Sequence, residues 1–246
     1  MIEGTESFVP LEITKRECIR LGLFLPQYST TGDSDFIPIG AGVVGYKLID
    51  TLAKELKIEM QIVRHSSPPK AIEALNAGAC DVLIMGIEES RRIFVNFTPA
   101  VIQFDYAYLV PPGSPINEMS EVDRSGHRIA VPGGHASWIA LKKLILDADI
   151  VDTEVPDEAF ALVRDGDAEV YALPREQLLH YKEMLPGSRI LTQGFGINDV
   201  GFAVAKGEPQ FLKFMTKIVQ EAKRSGLVKK ILVDAVLISR GFDVAK

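Results

Sequence analysis

A chain of 246 residues is long enough for one large or two small domains that bury a core without disulfide or metal staples. With 47% hydrophobic and 24% charged residues and a mean hydropathy of +0.13, it has the make-up of a globular protein, which excludes disorder, collagen and coiled coil. Lysine and arginine number 27 against 33 acidic residues, the net charge is −6, and no basic run interleaves with aromatics, so nucleic acid is excluded as a partner.

The uncharged stretches 82–87 and 129–141 fall short of the roughly 18–20 apolar residues of a membrane span. Residues 1–17 carry scattered charges and no apolar core, so no secretory signal is read there. The first strand signal is 18–25, CIRLGLFL, stopped by Pro26. Residues 29–42, rich in Ser, Thr, Gly and Asp, read as a long loop before a helix over 43–56, whose Val44, Leu48, Leu52 and Leu56 share one face. A strand over 59–64 follows, then a helix opened by Pro68 and Pro69 and closed near Gly78. Residues 81–86, DVLIMG, have the continuous apolar character of a parallel strand covered on both faces. Cys18 and Cys80 sit beside these strands and read as small core side chains rather than a disulfide, and two cysteines alone make no zinc site.

The segment 104–110 is a strand leading into Pro111-Pro112-Gly113, and a second alternation follows. Its strands are 128–131, 150–153 and 168–173; its helices are 138–146 and 156–165. A return strand, 200–205, precedes helices over 210–225 and 227–236. The order predicts two α/β lobes joined by two crossings: 18–109 with 203–246, and 112–200, with 1–17 as an N-terminal extension. Ligands of such sheets settle outside the carboxyl ends of the strands. That puts Gln27, Tyr28 and the segment from Gly86 to Arg91 on one rim, and the turn Gly133-Gly134-His135-Ala136-Ser137 on the other.

Several patterns then stand in order: ALNAGACDV over 74–82, Gly86, Arg91, Phe97-Thr98-Pro99, GHRIAV over 126–131 ahead of Gly134, Leu162 to Ala168 with Gly166, and VGFAVAKG over 200–207. Together they resemble the bacterial solute-binding proteins of family 3, type 2 periplasmic binding proteins that serve amino-acid ABC transporters. The resemblance runs from about Cys18 to Val236. It implies a two-lobed α/β fold with two hinge crossings and a ligand cleft, a periplasmic location, a membrane permease as partner, a monomer, and neither cofactor nor metal. Two positions depart from the family: Glu88 stands where Thr is usual, and Pro174 stands where an aspartate receives the α-ammonium group of an amino acid.

Arg91, the residue matching the family's carboxylate-binding arginine, presents a rigid fork of donors that fits a carboxylate bidentately. Tyr28 is expected to stack on the ligand and Gln27 to orient it, with Gly86 at the strand end. Gly134, His135 and Ser137 open a helix whose free N–H groups favour an anion. Glu88 either pairs with Arg91 or receives a cationic group of the ligand, and Asn198 joins the lining. A small carboxylate or amino-acid-like ligand is therefore expected. The alternatives are a lyase of the cyclohexadienyl dehydratase kind, with Glu88 or Glu176 as the acid, and a ligand-sensing domain. The four histidines have no metal spacing, and no catalytic motif is present.

Overall fold

The computed structural model describes residues 17–30, 36–237 and 241–245. The expected N-terminal extension lies outside them except for Glu17, and so do residues 31–35 of the expected loop. The chain divides into two compact units. The first holds the described residues up to Gln103, residues 199–237 and 243–245; the second holds Phe104–Asn198 with 241–242. The division falls inside two strands, not at the Pro111-Pro112-Gly113 turn, because that turn ends a strand already well within the second unit.

Unit 1 opens with β1 (Cys18–Phe24), where Ile19 and the run from Leu21 to Phe24 are buried. The expected loop contains a small antiparallel pair, β2 (Tyr28–Thr30) and β3 (Phe36–Pro38), each only three residues long and so too short to stand out by alternation. Helix α1 (Ala41–Leu56) starts two residues before the apolar stripe suggests, at Gly40 with φ 53. Gly42 lies so close to β1's exit that a β-carbon there would run into the Gln27 carbonyl oxygen. Then come β4 (Glu59–His65), α2 (Pro68–Asn76) with proline in its first turn, and β5 (Val82–Gly86), buried throughout. A 3-10 helix (Glu89–Ile93) leads to β6 (Val95–Phe97).

Unit 2 repeats this order. The long β7 (Ile102–Val110) enters it, and a 3-10 turn (Met119–Glu121) precedes β8 (Arg128–Pro132). Next are α3 (Ala136–Leu144), β9 (Asp149–Thr153), α4 (Pro156–Arg164) and β10 (Val170–Pro174). Helix α5 (Arg175–Met184) is absent from the sequence expectation, because among its apolar positions only Leu178 and Tyr181 are buried and leave no stripe to read. After β11 (Arg189–Ile190), the chain returns along β12 (Gly196–Ala205), which begins four residues before the expected strand. Helices α6 (Pro209–Arg224) and α7 (Leu227–Asp234) and strand β13 (Asp243–Val244) complete unit 1.

Each unit sets three parallel strands in the order second, first, third, followed by one antiparallel strand: β4-β1-β5-β12 in unit 1 and β9-β8-β10-β7 in unit 2. Each buries its own core, one around Phe24, Leu75, Leu83, Met85 and Phe97, the other around Phe160, Tyr171, Leu173, Leu178 and Tyr181. Each also carries the same clamp between its first and third strands. Arg20 forks onto Asp81 through Nε (3.1 Å) and Nη2 (2.8 Å), while its main-chain N–H donates to the same carboxylate at 2.7 Å. Arg128 grips Glu169 likewise, with Nε at 3.3 Å, Nη2 at 3.0 Å and its N–H at 2.5 Å. The acid of the 74–82 pattern therefore fastens the fold, and Thr98 does too: its hydroxyl accepts from Phe202 N at 3.0 Å and donates to Pro99 O at 2.9 Å.

Candidate binding residues on the two units

In unit 1 the parallel register Leu21↔Val82 places the exits of β1 and β5 at one sheet edge. Gln27 leaves β1 buried, and its amide joins the two strands: Nε2 donates to Ile84 O at 2.7 Å and Oε1 accepts from Phe24 N at 3.3 Å. Its amide oxygen and one N–H are thus engaged by main chain, which fastens β1 to β5. The Tyr28 hydroxyl donates to His65 O at 3.1 Å, its ring lies 5.8 Å from that of Phe36, and burial pushes its phenol above the ordinary value.

Past β5, Glu88 is half-buried and its carbonyl accepts from the N–H groups of Arg91 (3.0 Å) and Arg92 (3.3 Å), which winds the 3-10 helix. That winding separates the two arginines. Arg92 is exposed, pairs with Glu89 at 3.2 Å and lies over the Phe97 ring. Arg91 turns inward to 5% exposure, and its Nη1 donates to Gly86 O at 2.8 Å. A guanidinium cannot shed its proton, so a buried one calls for oxygen acceptors around its fork. Gly86 supplies one and fixes the plane in which the other N–H groups lie.

In unit 2, β8, β9 and β10 are parallel, and the pairs Val170↔Ile129 and Tyr171↔Ala130 bring the exits of β8 and β10 side by side. Helix α3 begins just past β8 and α5 just past β10, so two helix amino ends share this edge. Gly134 takes φ 72, which a side chain would strain, and turns the chain into α3. His135 occupies the cap position and is buried. Ser137, in the first turn, is 1% exposed, and its hydroxyl has no hydrogen-bond partner among the described residues.

The same holds for the buried indole Nε1 of Trp138, for Oε1 of Gln177 and for Oδ1 of Asn198. Lys142 Nζ lies 3.8 Å from the Trp138 ring centroid and covers one face of the indole. Beside them, Pro174 ends β10 with its main chain paired to Tyr106. Arg175 is fully engaged by Asp105 (2.7 Å from Nε) and by the carbonyls of Leu191 (2.9 Å) and Thr192 (3.0 Å). Gln177 has no sequence signal; Trp138, directly after Ser137 at a helix start, reads from the sequence either as lining beside Asn198 or as core.

Residues 31–234 match the family described as bacterial extracellular solute-binding proteins, family 3. The chain is 25% identical over 167 residues to the glutamine-binding protein of Geobacillus stearothermophilus, covering 67% of this chain and 62% of that one. It is 22% identical over 184 residues to the ABC transporter glutamine-binding protein GlnH of Bacillus subtilis (strain 168), covering 74% and 66%. The matches thus span less than two thirds of either curated relative. Among solved structures, the ancestral amino acid-binding protein AncCDT-1, a precursor of cyclohexadienyl dehydratase, superposes with a TM-score of 0.76 at 24% identity, covering 91% of this chain and 97% of that one. The fold is the two-lobed one of the periplasmic amino-acid-binding proteins.

Proposed function

This chain belongs to the bacterial extracellular solute-binding proteins, family 3, and on that premise we propose that it binds a small carboxylate or amino-acid-like solute outside the cytoplasmic membrane and delivers it to an ABC permease. The observation that carries this reading is Ser137. A hydroxyl with 1% exposure and no partner among the described residues, in the first turn of a helix, is an unmet hydrogen-bonding group at a place that favours anions. Arg91, in unit 1, supports it separately, because an inward-turned guanidinium suits a carboxylate.

Pro174 offers neither charge nor N–H, so this position does not supply the anion that would neutralise an α-ammonium group. Organic acids and modified amino acids are therefore preferred over ordinary L-amino acids. A thermal-shift panel of the twenty amino acids beside hydroxy, oxo and dicarboxylic acids tests this, since a ligand at a hundredfold excess over Kd adds about 2.7 kcal/mol. Arg91→Ala is expected to weaken the best ligand at least about a hundredfold by calorimetry, the size of losing charge-assisted bonds to a carboxylate. Unchanged affinity in the folded variant would contradict the assignment.

A second reading has one observation in its favour: Glu176, in the first turn of α5, is a carboxyl only 3% exposed beside Pro174. A lyase on this scaffold needs such an acid. Incubation with prephenate or arogenate, followed by ultraviolet absorbance of an aromatic product, separates the two.

A further inference from the structure

The buried polar atoms of the unit 2 edge carry the binding reading one step further, to a residue that sets which end of the ligand lies there. Trp138 is the only tryptophan of the chain. Its Nε1 is buried and has no hydrogen-bond partner among the described residues. An indole N–H only donates, so an ammonium or guanidinium end of a solute cannot satisfy it; the group it meets must be an acceptor, which in a carboxylate or an amide is the oxygen. The residue before it, Ser137, brings a second buried polar atom without a partner among the described residues, its hydroxyl, and the N–H groups of the first turn of α3 lie at the amino end of the same helix. The face of the indole is covered by the Lys142 ammonium at 3.8 Å, which limits how far the ring can swing and so fixes where the N–H aims.

We propose that Trp138 is a specificity-determining donor: its indole N–H, with the Ser137 hydroxyl, receives an oxygen acceptor of the solute, a carboxylate or an amide carbonyl, at the carboxyl edge of unit 2. This rests on the reading of the chain as a solute-binding protein. It adds that the edge selects against solutes whose corresponding end carries only donors, such as an ammonium. Pro174, without an anion, selects in the same direction.

The test uses the full chain and five named probes: succinate, 2-oxoglutarate, L-glutamate, L-glutamine and L-arginine. Thermal shift identifies which of them bind the wild type. Calorimetry then compares the wild type with Trp138→Phe, which keeps the ring and removes the donor. The expected result is a loss of affinity of about tenfold or more for the binding probes, the scale of orphaning one buried acceptor. The melting temperature without solute is expected to stay within the range of a surface substitution. Comparing glutamate with glutamine separates a carboxylate from an amide carbonyl as the acceptor.

Independently of any variant, a 15N-labelled sample gives one indole N–H resonance, and the binding probe is expected to move it downfield. If the probe binds while that resonance stays in place, or while Trp138→Phe keeps the wild-type Kd, the role of Trp138 is overturned and the binding reading stands. If none of the probes or the wider acid panel stabilises the wild type, the binding reading falls and this inference falls with it.

Discussion

Burial pushes the Cys80 thiol up to about 11, with the Asp81 carboxylate adding to the rise and Arg20 opposing it. At pH 8 its thiolate is then about a thousandth of the population. Cys18 is half-buried at the start of β1. A disulfide-exchange reagent such as Ellman's is therefore expected to titrate one thiol in the native protein and two after denaturation; two fast equivalents in the native state would contradict the burial of Cys80. Gly42 makes a second prediction at this scale. Because a β-carbon there would meet main chain, not a movable side-chain tip, Gly42→Ala is expected to cost about 1–3 kcal/mol in a urea melt, against the small gain that alanine usually brings inside a helix. The positions of Arg91 and Ser137 just past strand exits were legible because Gly86 ends one apolar run and Pro132-Gly133-Gly134 end the other. It did not reveal that Gln27 is tied to main chain, since an amide on a rim looks the same whether it meets a ligand or the neighbouring strand.

The charge clamps act between elements. Desolvation alone pushes the Glu169 carboxyl up, but the bonds from the Arg128 side chain and main chain outweigh it and leave the group below its ordinary 4.5. A carboxyl held lower in the folded state than in the unfolded one adds stability that is whole above about pH 4.5 and fades as the pH falls through the folded value. Glu169→Gln is thus expected to lose about 1 kcal/mol at pH 7, a modest figure because the pair is partly solvated, and to approach the wild type in melts below about pH 4. Equal losses at both pH values would remove the electrostatic account. The strands were legible because β5, β8 and β10 are continuous apolar runs, a pattern that a helix rarely mimics at that length. Helix α5 was not, for the opposite reason: it meets the core through so few apolar residues that its period is invisible. The β2–β3 pair hid for a third reason: strands of three residues are too short to show a period.

At the scale of the molecule, the alternation of strand and helix told of two similar α/β halves, and the repeated strand order bears that out. The sequence puts the passages between the halves at about 109–112 and 200–203, and the compact units divide a few residues earlier, at 103–104 and 198–199, inside β7 and β12, which run through them unbroken and leave no change of composition to read. The same arrangement bears on how the protein is made. Unit 2 is nearly all one continuous stretch, whereas the sheet of unit 1 is finished only by β12, whose Phe202 bonds to Thr98 104 residues earlier in the chain. At about 5–20 residues per second, a ribosome needs roughly 5–21 s to cover that interval. Throughout it the outer edge of β5 has no partner, and an unpaired apolar edge is an invitation to another chain. Unit 2 has by then been synthesised except for residues 241–242. Nascent chains stalled after Asn198, on a linker that clears the exit tunnel, are expected to show a protease-resistant unit 2 attached to a digestible unit 1; protection of both at that length would mean that the first half closes without its last strand. A chaperone that binds the nascent chain would accordingly find its purchase on β5, the strand that waits longest for company.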